Sequence, residues 1–580
     1  MHYNFEGKLD LPQNILELVA PYQCFSYFFT DSFIDLITRE SNLFSTQKNP
    51  NKPANLTAIN IRRFLGVCTY MSVSSLPRTR AYWRNDIGVS NSRDAMTINE
   101  FEKIKNTLHF NDNHTIAEKG DPKYDKLHKI RPLIDHLNNR FSSIPLEPQL
   151  AIDEQICATK CRNHMKQYLP MKPHKWGFKF YMLCGVTGFS YNFEMYTGPE
   201  NFFTKLKEDE PDLGVTGNVV VHLTRIVPKN LNHCIYFDNF YTSVPLMVYL
   251  ANHGIYRVKS KDIFTKVIFL HDLFLCVQSL GKRENPTFDF RLYSLGTVRQ
   301  NRLPNNKLLG EKEMKQLDRG TCEEYVTNID GVDLSAVAWK DNKTVSMLST
   351  AYGELLLHKV TRYDRKQKKN ISINCPNVII QYNKHMGGKD LLDSHIGRYK
   401  IPLRSKKWYF ENFFHLLDVS LINAWLLHNK IQVQNEKENM VEKNLWEFRL
   451  EVAECLCNMG PRNEKKRGRP SNGTQQLIVE KRKRGPAAHI PPTNIRNDET
   501  SHWIKYDSSR QSRAQKVATI MDCIEVFSTK LSVIRKVVLQ GSYTAFTCMN
   551  SFSLVYIYTK AVANNTSPLK DKFDKPVLLS

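Results

Sequence analysis

Four aspartates limit what this chain can fold into. Asp153 lies in Leu150-Ala-Ile-Asp-Glu-Gln-Ile156, and Asp238 lies in His233-Cys-Ile-Tyr-Phe-Asp-Asn-Phe-Tyr-Thr-Ser243. Asp390 and Asp393 share His385-Met-Gly-Gly-Lys-Asp-Leu-Leu-Asp393. The first two stand in or at the end of β-branched or aromatic runs that read as strands. The last pair, three residues apart, has the spacing of one helix face. An aspartate taken alone is most often a surface residue, a cap or half of an ion pair. Carboxylates brought together from separate elements are what a two-metal phosphodiester site needs, because two Mg²⁺ ions require clustered oxygen ligands. Acids converging inside a basic chain suggest a nuclease-like or transposase-like centre.

The chain is strongly basic, with 81 Lys and Arg against 58 Asp and Glu and a net charge of +23. Such an excess favours polyanions, nucleic acid before anionic membrane, and fits poorly with a hydrolase of small phosphoesters. A general basic bias of ribosomal or solubility type is the alternative on composition. At 580 residues, with 41% hydrophobic and 11% aromatic content, several cored domains are expected. The 13 cysteines contain no Cys-x-x-Cys pair, and the close spacings Cys157/Cys161 and Cys455/Cys457 have no histidine pattern beside them. No structural zinc is therefore expected, and a reduced intracellular compartment fits best. The start, Met1-His-Tyr-Asn-Phe-Glu-Gly-Lys8, lacks the apolar core of a signal peptide, and no run of about 18 uncharged apolar residues predicts a membrane span.

Residues 1–147 read as a helical region, suited to DNA binding or dimerisation. Thr97 with Glu100 is a capping-box pattern at one helix start. Residues 148–254 alternate strand-like runs with turns, and Phe178–Val186 and Asn218–Leu223 are strand candidates. After Asp238, Ser243 can cap a helix whose stripe is Val244, Met247, Leu250 and Ala251. Asp238 is thus expected where a strand gives way to a helix, a favoured ligand position in α/β sheets. Residues 255–375 separate the second and third acidic segments, and 376–396 carry the third. In 397–458, Phe410, Phe413, Phe414, Leu417, Leu421, Ala424 and Trp425 mark a buried helix expected to pack back on the N-terminal helices. From 459 the composition becomes that of a linker. Arg462–Gly485 carries nine basic and two acidic residues, a segment expected to be disordered in isolation.

Taken with their neighbours, these segments resemble the piggyBac transposase family. Tyr168–Lys179 looks like the basic stretch after the family's first aspartate. Phe237–Ser243 looks like the segment holding the second, and Met386–Asp393 like the third acidic motif. Gly296–Arg302 and Trp339–Lys343 look like its inserted domain. The resemblance runs from about Asp31 to His502. It implies a ribonuclease H-like α/β core with a β-rich insertion, flanked by a discontinuous helical DNA-binding or dimerisation domain. It implies two Mg²⁺ held by Asp153, Asp238 and Asp390 with Asp393 assisting, and double-stranded DNA as partner: transposon ends, with cleavage through hairpins and insertion at TTAA. A homodimer in the nucleus is the expected form. Two departures stand out. About 36 residues, 257–292, are extra to the family pattern and read as a gene-model artefact or an insertion. Past Arg513 the family's cysteine-rich zinc domain is missing, with only Cys523 and Cys548 left. A domesticated DNA-binding protein that has lost transposition is therefore the alternative reading.

The basic segments supply candidate DNA contacts. Lys172, Lys175 and Lys179 accompany Tyr168 and Trp176, a mixture of phosphate grips and base-stacking rings; a solvated basic loop is the plainer reading. Arg299 and Arg302 lie in the inserted region, and Arg404, Lys406 and Lys407 follow the last aspartates. Arg467-Gly-Arg-Pro470 matches an AT-hook core, through Arg467 and Arg469. Lys465–Arg469 and Lys481–Arg484 resemble a two-part nuclear localisation signal. If the hook reads the minor groove, Arg467→Ala with Arg469→Ala removes a preference for A·T over G·C duplexes, measured at fixed ionic strength with the full chain. Equal binding of the unmodified protein to both duplexes contradicts it.

Overall fold

Three helices in the first third of the chain, those starting at Asp31, Ala58 and Ile98, begin where a threonine side chain supplies a missing backbone partner. The structure, a computed structural model, describes residues 5–461 apart from 171, 173, 199–205, 230, 254–291, 366 and 436–442. Helices α1 (Gln13–Leu16), α2 (Pro21–Phe28), α3 (Asp31–Lys48), α4 (Ala58–Val73), α5 (Ser90–Ala95), α6 (Ile98–Thr107) and α7 (Arg131–Phe141) form the first layer. Thr57 and Asn60 cap α4 reciprocally. At α6 the Glu100 amide donates to Thr97 Oγ1 while Glu100 Oε2 accepts from the Thr97 amide, the expected capping box.

The next elements in order are β1 (Gln149–Ala158), β2 (Gln167–Tyr168), β3 (Trp176–Gly185), β4 (Ser190–Met195), α8 (Gly214–Thr224), β5 (Cys234–Phe237) and α9 (Val244–His253). They are followed by β6 (Tyr293–Thr297), α10 (Glu311–Gln316), β7 (Cys322–Ile329), β8 (Val332–Lys340), β9 (Thr344–Ser349), β10 (His358–Asp364) and β11 (Lys369–Cys375). Nine strands make one mixed sheet in the order β2-β3-β1-β5-β6-β9-β8-β7, with β4 on β3; β10 and β11 form a separate hairpin. Strand β1 pairs antiparallel with β3 and parallel with β5, which pairs parallel with β6. Strands β9, β8 and β7 then extend the same sheet, so residues 293–349 lengthen it.

One expectation fails here. Asn218–Leu223 lies in the helix α8 and forms no strand. Asn218 Oδ1 accepts from the Leu213 amide and its Nδ2 donates to Asp212 Oδ1, which also accepts from the Gly214 amide. This local network starts a helix, and Val219, Val220 and Val221 are all buried. Packing and capping outweigh the strand preference of three valines.

Helices α11 (Asn377–His385), α12 (Gly388–Arg398), α13 (Trp408–Gln434) and α14 (Leu445–Cys457) complete the described chain. Helix α13 is buried along most of its length. It packs on α2, while α14 packs on α4 and α2, so the late helices join the first layer. Arg449 and Asp418 form a buried ion pair at 2.9 Å in this seam. Arg449 Nη1 also donates to Ser72 Oγ and to the Tyr399 carbonyl, and Asp418 Oδ2 accepts from the Ile401 amide. Those contacts tie α4, α13, α14 and the turn after α12 to one another. Residues 257–291 of the extra segment and the basic tail lie outside the described residues. Among the described residues no helix is long and apolar enough to cross a membrane.

Candidate active site

Parallel pairing brings the first two aspartates side by side. Ile152 on β1 is in register with Phe237, the last residue of β5, so Asp153 on β1 and Asp238 just past the end of β5 each follow one residue later. The Phe240 amide donates to Asp238 Oδ1 at 2.8 Å, and the Asp238 carbonyl accepts from Thr242 Oγ1. Burial raises the Asp238 carboxyl above its ordinary pKa; the Phe240 hydrogen bond opposes this, while the Glu154 and Asp153 carboxylates push it further up.

Helix α12 brings the remaining acids to β1. A Cβ on Gly388 would stand 2.1 Å from the Gly185 carbonyl oxygen, so only glycine lets the helix start this close to the end of β3. The next residue, Lys389, reaches into the acids with its side chain only 3% exposed. Its ammonium lies 2.9 Å from Asp153 Oδ2, 2.7 Å from Asp390 Oδ1 and 3.4 Å from Asp393 Oδ2. Burial alone would lower the Lys389 pKa. The Asp153 and Asp393 carboxylates, with hydrogen bonds to Asp390 and Asp153, outweigh it and hold the group well above its ordinary value. The two ends of the longest contact differ: burial raises Asp393 more than Lys389 lowers it. Lys389 is therefore firmly charged, held chiefly by Asp153.

A buried relay fixes Asp393. Gln155 Nε2 donates to Asp393 Oδ1 at 2.7 Å, and Gln155 Oε1 accepts from His415 Nε2 at 2.7 Å. This needs the imidazole to carry a proton on Nε2. Burial keeps the ring neutral, pushing His415 down to about 3. Asp390 is the outlier, with its side chain 78% exposed. All three sequence-distant segments still act on one group. Burial first, then the Asp238, Asp153 and Asp390 carboxylates, raise the Tyr382 phenol on α11.

Hard oxygen donors of this kind suit a divalent cation such as Mg²⁺. In their present arrangement, however, no three carboxylate, imidazole or thiolate side chains among the described residues form a group able to hold a metal ion. The cation among them is Lys389.

The candidate DNA contacts divide. Lys175, Arg299, Arg404 and Lys406 are exposed. Tyr168 and Trp176 are 50% and 53% exposed, with ring centroids 4.7 Å apart and Lys166 over the indole. Lys172 stands at the site's edge, 3.9 Å from Asp153 Oδ1. Exposed Arg302 donates to the Asn239 carbonyl and braces the loop after Asp238. Two expected phosphate contacts turn inward. Lys179 is buried, paired with Glu154 at 3.1 Å and lying over the Tyr181 and Phe240 rings. Lys407 donates to the Asn106 carbonyl and lies over Phe410. Arg467 and Arg469 lie outside the described residues.

Sequence reasoning left Gln155, Lys389 and His415 without a role. Gln155 stands two residues from Asp153, hence on the same strand face, and Lys389 stands four before Asp393 on one helix face. Both signals were available. His415 shows only as a polar residue inside an apolar helix.

Three comparisons bear on this arrangement. The profile of the family described as Transposase IS4 matches residues 20–258 and 289–425, and the gap between falls within the segment read as extra. The human PiggyBac transposable element-derived protein 3 is 31% identical over 429 residues, 73% of this chain and 64% of that protein. Its human relative, PiggyBac transposable element-derived protein 2, is 26% identical over 497 residues, 85% of this chain and 71% of that protein. The chain thus spans less than two thirds of the first relative's length. Among solved structures, the cryo-EM structure of a piggyBac transposase synaptic complex with hairpin DNA matches with a TM-score of 0.58 at 18% identity, over 86% of this chain and 96% of that one. This likeness shows a common mixed α/β fold.

The buried imidazole has a measurable consequence. His415 binds its proton in the unfolded chain below about pH 6.5 but in the folded chain only near pH 3. Between those values the unfolded state holds the extra proton, so stability falls as pH falls. Denaturant unfolding of His415→Gln is expected to show a shallower loss from pH 6.5 to 4 than the unmodified chain; equal slopes contradict the assignment.

Proposed function

Because the chain belongs to the piggyBac family of transposases and transposase-derived proteins, we propose that its acidic cluster serves metal-dependent cleavage and transfer of DNA strands at TTAA. The observation that carries this is the parallel pairing of β1 and β5, which sets Asp153 beside Asp238 at the end of β5, with Asp390 and Asp393 brought to them by α12. The antiparallel strands β3 and β4 on one side of β1, and the parallel strands β5 and β6 on the other, support a ribonuclease H-like core. Asp153, Asp238 and Asp390, assisted by Asp393, would hold Mg²⁺, which when bound supplies Lewis acidity to the attacking and leaving oxygens.

The chain's own groups prepare the carboxylates. Phe240 N–H orients Asp238, and the His415–Gln155 relay orients Asp393. Tyr168, Trp176 and Lys175 offer rings and a cation to the DNA backbone and to splayed bases. Double-stranded DNA ends are the proposed substrate, a homodimer the proposed assembly, and the two basic clusters of the tail the proposed nuclear address. One observation favours a second reading, a DNA-binding protein whose catalysis has lapsed: an ammonium, that of Lys389, already pairs with three of the acids.

A hairpin or nicked duplex carrying TTAA, incubated with the full chain and Mg²⁺, separates the two readings. Cleavage is expected, and Asp153→Asn or Asp238→Asn should reduce it at least about a hundredfold while leaving DNA retention in a gel unchanged. Cleavage that survives both substitutions would refute the site. DNA binding without cleavage supports the lapsed form.

A further inference from the structure

Lys389 is a tethered cation lodged where the acids meet. It is almost wholly shielded from water, and its ammonium contacts carboxylates from two elements, Asp153 on β1 and Asp390 and Asp393 on α12. The shorter contacts, 2.9 Å and 2.7 Å, are direct charge-assisted hydrogen bonds. An ammonium has donors only, whereas a metal ion needs the same oxygen lone pairs as ligands. The two cannot share Asp153 Oδ2 and Asp390 Oδ1 at full strength. Among the described residues no three His, Cys, Asp or Glu side chains stand together as a group that could hold a metal ion.

We propose that Lys389 is an internal competitor for the divalent cation, so that loading of the site requires its ammonium to leave the carboxylates. This rests on the metal-site reading given above. The lysine would hold α12 against β1 in the metal-free chain and weaken divalent binding. Its flexible four-carbon stem allows withdrawal without moving the helix. Asp393 would remain in place through Gln155, which does not depend on the lysine.

The test is Mn²⁺ binding to the full chain, followed by the loss of free-Mn²⁺ paramagnetic signal, for the unmodified protein, Lys389→Met and Lys389→Arg. Methionine fills the same volume without charge, and arginine keeps the charge. The proposal expects at least tenfold tighter Mn²⁺ binding for Lys389→Met and no comparable gain for Lys389→Arg. Equal affinity of the Met variant and the unmodified chain overturns the competitor role and leaves the metal site standing. Absence of Mn²⁺ binding in all three overturns the metal-site reading and the proposal with it. Should Lys389→Met fail to fold, the unmodified chain decides. Its Lys389 amine should react faster with an acylating reagent as Mn²⁺ is added, read by peptide mass, and an unchanged rate overturns the proposal.

Discussion

A charged amine withdrawn from water is held between a strand and a helix, and much of the site's geometry depends on it. Removing one ion from water costs several kcal/mol, and the carboxylates of Asp153, Asp393 and Asp390 offset that cost for Lys389. That requirement sets the distance between β1 and α12. The bare backbone of Gly388, against the Gly185 carbonyl, makes the distance possible. The parallel pairing of β1 and β5 then adds Asp238, with no further contact needed. Three segments far apart in sequence meet through one hydrogen-bonded ladder and one buried cation.

The helices secure this arrangement from behind. Helix α13 presents His415 to Gln155, so the helix that fills the core also orients an acid of the site. The same helix is anchored by Asp418 to Arg449 and, through that guanidinium, to Ser72 in the first helical layer. A change deep in the helical layers therefore has a physical route to Asp393 through α13. The apolar all-round character of Trp408–Leu427 follows from this position between the sheet and the first layer.

Much of this was legible in the chain itself, and the misreadings have identifiable causes. The capping box at Thr97, the strand ending at Asp238 and the helix after Ser243 are local signals, set by neighbouring side chains. The valines at 219–221 read as a strand because propensity carries no knowledge of the Asp212–Asn218 network that starts a helix there. Lys179 read as a phosphate contact because its pairing with Glu154 comes from the β1–β3 register, which no local pattern encodes. The aspartates were recognisable by type, spacing and resemblance. Lys389 lay within the same motif without a role, because a lysine beside acids on a helix is usually a solvated ion pair. Its burial arises from the close approach of α12 to β3.

The carboxylates on β1, just past β5 and on α12 are proposed to form one divalent-cation site. The most direct measurement is an anomalous-scattering difference map from crystals of the full chain soaked in Mn²⁺. The expected result is a peak bounded by Asp153, Asp238 and the first turn of α12, with the Lys389 ammonium displaced from Asp153. A peak elsewhere, or none while Lys389 remains on Asp153, would contradict it.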